Sequence, residues 1–175
     1  MQEALTVLNE MEAAGIIGRY AIGGAIAAVF YVEPFLTRDL DIFFAVSDEN
    51  EILTLSHIYQ YLSVRGYWQH EGEAVVIGTW PVQFLPAFNP LIEEALAQAR
   101  TVSYKDTPTR VFSAEHLVAI MLQTGRAKDY ARIVEFLKRQ AVNLPILEEV
   151  LKRHGLHDKW QQFLARQGSY NEGQN

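Results

Sequence analysis

Two aspartates one residue apart, Asp39 and Asp41, stand at the head of the apolar run DLDIFFAV. If that run is a strand, alternation sends both carboxylates to one side while Leu40 and Ile42 enter the core. Two carboxylates on one face repel unless a cation lies between them. Hard oxygen ligands of this kind suit Mg²⁺, which takes one or two carboxylates together with substrate phosphates. A solvated strand end would carry the same residues. Upstream, a short apolar stretch over 19–22 runs into Gly23-Gly24, directly before a second apolar run. Glycines at such a junction let the backbone approach a ligand closely, and a helix start offers N–H groups to a phosphate. A tight turn in a packed core is the competing reading. Thr37-Arg38, just before the aspartates, is placed for phosphate or structural contacts, or is an ordinary polar loop.

These residues need elements to hold them. Leu5, Leu8, Met11 and Ile16 recur at helical spacing and Gly15 is a natural stop, so the opening segment is expected to be a helix. A strand over 19–22, a buried helix over 25–31 stopped by Pro34, and a strand over 39–46 follow. Ser47-Asp48-Glu49 supplies a cap and an acidic first turn for a helix to about residue 65. Val75-Val76-Ile77 and Val82-Gln83-Phe84-Leu85, joined through Gly78-Thr79-Trp80-Pro81, predict a hairpin. A helix over 90–99 and a short strand over 101–104 come next. From Ser113 the pattern is helical: a helix to about residue 123, a break at Gly125, a helix over 127–138, and two shorter helices after Asn143 and Leu156. The order predicts an α+β fold, a small mixed β-sheet with helices packed on it and a helical C-terminal part. The expected divisions are 1–108, 109–168 and a frayed tail over 169–175.

Composition limits the function classes. The 175 residues are 49% hydrophobic and 21% charged, enough for a real core and unlike a disordered chain. The absence of cysteine excludes disulfides, thiolate zinc sites and a cysteine nucleophile, and fits a cytoplasmic protein. The start MQEALTVLNEMEAAG lacks the pattern of a signal peptide, and the longest apolar run, 25–32, is too short to span a bilayer. A soluble protein without a membrane partner is expected. Residues 1–100 hold 13 acidic and 4 basic side chains, and residues 101–175 hold 8 and 11, so the formal charge of −6 is unevenly spread. An acidic first part suits a divalent cation, and the weakly basic remainder is a solvated helical surface or a face for a polyanion. No GxxxxGK[ST] loop, GxSxG elbow or HExxH helix occurs. His154 and His157 flank Gly155 and are expected in a surface turn, while Trp68, Trp80 and Trp160 are expected in the core or on a sheet face.

Taken together, IGGAIAAVFYVEPFLTRDLDIFF resembles the signature of the nucleotidyltransferase superfamily: a Gly-Gly or Gly-Ser turn, a helix, then Asp-hydrophobic-Asp on the next strand. It is similar to the small bacterial members, including those of abortive-infection and toxin–antitoxin systems. PVQFLPA resembles that family's later strand and EHLVAIMLQTGRAKDYARI its helical segment, so most of 18–135 is covered. The resemblance implies transfer of a nucleoside monophosphate from an NTP to an acceptor hydroxyl with Mg²⁺ or Mn²⁺. Asp39 and Asp41 would be the catalytic metal ligands, with Gln83 standing where the family places a third carboxylate. Gly23, Gly24, Thr37, Arg38, Arg126, Lys128 and Asp129 would contact the nucleotide. Met121 stands where a lysine is usual and Arg132 where an acid is usual. The acceptor, whether RNA, protein or small molecule, is not encoded legibly, and a protein partner stays open. Gln83, Met121 and Arg132 support the rival reading, a nucleotidyltransferase-fold binding or regulatory module that has lost turnover. A weaker third reading is an RNA-binding partner that uses the basic helices.

Overall fold

A computed structural model describes residues 1–33, 37, 39–46 and 51–172, with side chains described outside 51–54 and 168–172. The expected capping residues Ser47, Asp48 and Glu49, and Pro34, lie outside the described residues. The chain divides into two compact units, Met1–Ser113 and Ala114–Asn175. The α+β architecture is as expected: a mixed sheet with helices, followed by helices alone.

Among the described residues, the first unit is built on seven strands in the order β3-β4-β5-β2-β1-β7-β6. They are β1 (Tyr20–Ile22), β2 (Leu40–Phe44), β3 (His70–Glu71), β4 (Ala74–Ile77), β5 (Trp80–Pro86), β6 (Arg100–Tyr104) and β7 (Thr107–Val111). β2 pairs antiparallel with β1 and parallel with β5, and β1 pairs parallel with β7. The helices of this unit are α1 (Gln2–Ala13), α2 (Gly24–Ala28), α3 (Glu51–Val64) and α4 (Pro90–Ala97). Leu5, Leu8 and Met11 form the buried stripe of α1, which contacts β7. Asn89 caps α4 by accepting from Leu91 N at 2.8 Å, and Arg19 closes its other end by donating to the Leu96 and Ala99 carbonyls. The Leu96 carbonyl is in the last turn of α4, where carbonyls lack a partner within the helix, so a guanidinium is a natural terminator.

Several expectations shift. α2 ends at Ala28, short of residue 31, and the backbone continues in turns that bring the Tyr31 hydroxyl onto the Phe112 carbonyl at 2.8 Å. The β4–β5 turn uses only Gly78 and Thr79, because Ile77 pairs with Trp80, and Trp80 and Pro81 belong to β5. β3 and β7 were not expected. β7 moves the division from residue 108 to Ser113, since residues 107–111 are strand rather than the start of the helical part.

The second unit comprises α5 (Ala114–Thr124), α6 (Ala127–Lys138), α7 (Leu144–Arg153) and α8 (His157–Glu172). Asn143 caps α7 by accepting from Ile146 N, and its own N–H donates to Glu115 Oε1 of α5 at 2.9 Å. Leu117, Leu122, Ile133, Phe136, Leu147, Leu151 and Trp160 are buried between these helices. α8 is 16 residues long rather than short, and it takes in residues 169–172 of the expected tail; residues 173–175 lie outside the described residues. His154 caps the end of α7 and Gly155 separates it from His157. No described helix is long and apolar enough to cross a membrane.

Tyr20 joins three elements of the first unit. Its hydroxyl donates to Asn9 Oδ1 of α1 at 2.7 Å and lies 3.3 Å from Thr109 Oγ1 of β7. Burial pushes the phenol above its usual pKa, against the opposing pull of the Thr109 hydrogen bond. The native state therefore keeps this proton where the unfolded chain has lost it, so stability should fall as pH rises above about 10. Tyr20→Phe is expected to cost about 1 kcal/mol near neutral pH through the lost hydrogen bond. It should also flatten the alkaline decline. Urea melts across the alkaline range check this, and parallel declines for the two proteins would contradict it.

Candidate functional site

The Gly-Gly turn and the DLD strand are locked together. β1 ends at Ile22, whose register partner is Ile42, and the next backbone N–H, that of Gly23, donates to the Asp41 carbonyl at 2.9 Å. A Cβ on Gly23 would run into the Phe43 ring and lie 3.2 Å from Phe112 Cε2. Gly24 is more constrained still. Its φ is +57°, and a Cβ there would overlap Oδ2 of Asp41 and lie 2.8 Å from Cγ. The Asp41 carboxylate thus rests against the Gly24 backbone in space that any side chain would fill.

The carboxylates follow the expected alternation. Leu40, Ile42 and Phe44 are 0% exposed, while Asp41 is half-buried on the other face and Asp39 is exposed just ahead of β2. In the parallel β2–β5 pair Asp41 is the register partner of Gln83, so their side chains share a face. Gln83 is half-buried, and its Nε2 donates to Glu73 Oε2 at 3.2 Å. Glu73, in the turn between β3 and β4, was not singled out from the sequence. Its only signal was the Glu71-Gly72-Glu73 turn, and the pairing that brings it to Gln83 depends on a strand of two residues.

Beside this cluster, Thr37, Glu71, Thr79, Trp80 and Pro81 line an open groove of about 320 Å³. It lies where β5 begins, next to the segment that enters β2. Arg38 lies outside the described residues. Among the described residues no group of three His, Asp or Glu side chains is placed to hold a metal ion.

The remaining expected residues belong to the second unit. Arg126 grips Asp129 through two hydrogen bonds, Nε to Oδ2 at 2.7 Å and Nη2 to Oδ1 at 3.1 Å. Asp129 is 1% exposed and also accepts from the Arg126 backbone N–H, closing the first turn of α6. Lys128 is exposed, Arg132 half-buried, and Met121 packs in the core of this unit. The tryptophans divide. Trp160 is buried and stacks on Phe163, Trp80 faces the groove, and Trp68, expected in the core or on a sheet face, is 72% exposed. It lies in the segment between α3 and β3.

No family model matches the chain, and no curated protein sequence matches it. Solved structures do. An antigenic nucleotidyltransferase-like protein from Paracoccidioides brasiliensis superposes with a TM-score of 0.55 at 16% identity, over 87% of this chain and 85% of that one. ANT(2")-Ia in complex with adenylyl-2"-tobramycin gives a TM-score of 0.51 at 13% identity, over 90% and 98%. The fold is nucleotidyltransferase-like. At such identities the likeness is one of backbone fold.

Two glycines with the same backbone sign separate the contributions at the turn. Gly15 and Gly24 both have positive φ, but a Cβ on Gly15 would meet nothing within 4 Å. Gly15→Ala should cost about 1–2 kcal/mol, the left-handed backbone alone. Gly24→Ala should cost clearly more, because the Asp41 carboxylate must also move. Thermal melts of the two variants decide this, and equal losses would show that the carboxylate contact is unimportant.

Proposed function

We propose that this chain is a divalent-metal-dependent nucleotidyltransferase, moving a nucleoside monophosphate from an NTP to an acceptor hydroxyl. The observation that carries the reading is the Asp41 carboxylate set against the Gly23-Gly24 turn, with Asp39 two residues earlier and Gln83 on the neighbouring strand. The donor set fits Mg²⁺ or Mn²⁺: two carboxylates and an amide oxygen, leaving positions for phosphate oxygens. Bound there, the ion would offset the charge of the triphosphate and of the departing pyrophosphate.

The chain's own residues would do the rest. Asp39 and Asp41 hold the ion, and the Gly-Gly turn, which leaves room for the Asp41 carboxylate, sets the phosphates beside it. Thr37 and Arg38 precede the aspartates in sequence, whereas Arg126 and Asp129 are engaged with each other at the start of α6. The acceptor oxygen bonds to the α-phosphorus as its bond to the bridging oxygen breaks, and the hydroxyl proton leaves to solvent or a nearby base. ANT(2")-Ia, whose fold is shared, was crystallised with an adenylylated small molecule. A hydroxyl-bearing acceptor is proposed here on the same chemistry, and association with abortive-infection or toxin–antitoxin systems is a further proposal that rests on the signature alone.

A second reading, a binding or regulatory module without turnover, draws on one observation. Gln83 is a neutral amide engaged with Glu73, so no carboxylate occupies its position to take the acceptor's proton. Calorimetry with Mg²⁺ and each NTP, followed by mass measurement of candidate acceptors, separates the two. Binding with a mass increase supports the enzyme, binding alone the module, and no binding defeats both.

Asp41→Asn should abolish metal-dependent NTP binding, and unchanged affinity would remove Asp41 from the site. Gln83→Asp should strengthen divalent binding and raise transfer. Without metal it should lower the melting temperature, because a further negative charge joins Asp41 and Glu73. Melts with and without Mg²⁺ read both effects. No change in either would mean that position 83 does not face the cation.

A further inference from the structure

Gln83 carries a donor and an acceptor on one carbon, and which of them faces Asp41 decides whether it can serve a cation. The Asp41 carboxylate by itself would favour the wrong choice, since it attracts the NH₂ group and repels the carbonyl oxygen. Glu73 lies on the opposite side. β5 has two neighbours, β4 and β2, and the Glu73 carboxylate comes from the turn leading into β4. It accepts from Gln83 Nε2 at 3.2 Å. An ionised carboxylate has no hydrogen to donate, so only the nitrogen end of the amide can face it. The two ends of an amide diverge from their shared carbon. With Nε2 drawn toward β4, Oε1 is left on the side of β2, where Asp41 is the register partner.

We propose that Glu73 is a positioning residue: it holds the Gln83 amide so that its carbonyl oxygen, not its NH₂, is presented to a divalent cation at Asp41. The inference rests on the metal-dependent reading above and adds to it the residue that makes a neutral side chain usable as a ligand. Glu73 acts through Gln83 and need not touch the ion.

The test is a double-substitution cycle on the full chain, read as the Mn²⁺ dissociation constant in the presence of a non-hydrolysable NTP analogue. Glu73→Ala should weaken Mn²⁺ binding by about tenfold, the lower end for a residue that orients a metal ligand. In a Gln83→Ala background the same substitution should have almost no effect. Glu73 is exposed, so metal-free melting should barely change and the loss should appear in Mn²⁺ affinity alone. If Glu73→Ala costs as much with Gln83 absent as with it present, Glu73 acts by its charge and the positioning role is overturned. If Glu73→Ala binds Mn²⁺ like the unaltered protein, Glu73 has no role. Asp41→Asn is run beside them. If it too binds like the unaltered protein, the metal-dependent reading itself has failed and this inference falls with it.

Discussion

The contact between the Asp41 carboxylate and the Gly24 backbone is the constraint on which the rest of the site depends. β2 is the middle strand of the seven, and it carries Leu40, Ile42 and Phe44 into the core on one face. With that face fixed, Asp41 has one direction left. A slip of one residue in β2 would bury the aspartate and expose the three apolar side chains, which makes the register strongly specified. The Gly23 N–H to Asp41 carbonyl bond then ties the turn to the same residue from the backbone side. Core packing, strand register and the position of a charged group are therefore set together, by residues within one short stretch of chain.

Charge is distributed around that contact with some economy. A third acid on β5 would pull harder on a cation but would repel Asp41 whenever the site was empty. Gln83 avoids the repulsion and gives up the attraction. The nearby Glu73 places negative charge one strand further out, at an exposed turn where water screens it. In the second unit the opposite solution appears. Asp129 is fully covered, and its charge is met at close range by the Arg126 guanidinium, so the pair fixes the start of α6.

Legibility in the sequence followed the range of the interactions involved. The Gly-Gly turn, the alternation around Asp41, the β4–β5 hairpin and the extents of α1, α5 and α6 depend on spacings within a few residues and could be read directly. The β6–β7 hairpin was hidden. Its turn is Lys105-Asp106, with Lys105 at φ +51°, where glycine or asparagine is the usual signal. Pro108 also argues against a strand. Pro108 is tolerated because β7 meets β1 only at Val111, so at Pro108 the strand has a single neighbour. β3 is two residues long and leaves no periodic trace, and with it went the placement of Glu73. That neighbour of Gln83 is set by pairing across strands, which a local pattern does not record.

The most direct measurement is paramagnetic broadening of backbone amide signals as Mn²⁺ is added to the ¹⁵N-labelled protein with a non-hydrolysable NTP analogue. If Asp39 and Asp41 hold the ion against the Gly-Gly turn, the amides of Gly23, Gly24, Asp39, Asp41 and Gln83 should vanish first, at metal concentrations that leave α1 untouched. The groove lined by Glu3, Glu10, Arg65 and Tyr67 offers carboxylates of its own. Broadening that begins there, or spreads evenly over the acidic surface while Gly23 and Gly24 stay sharp, would contradict the account.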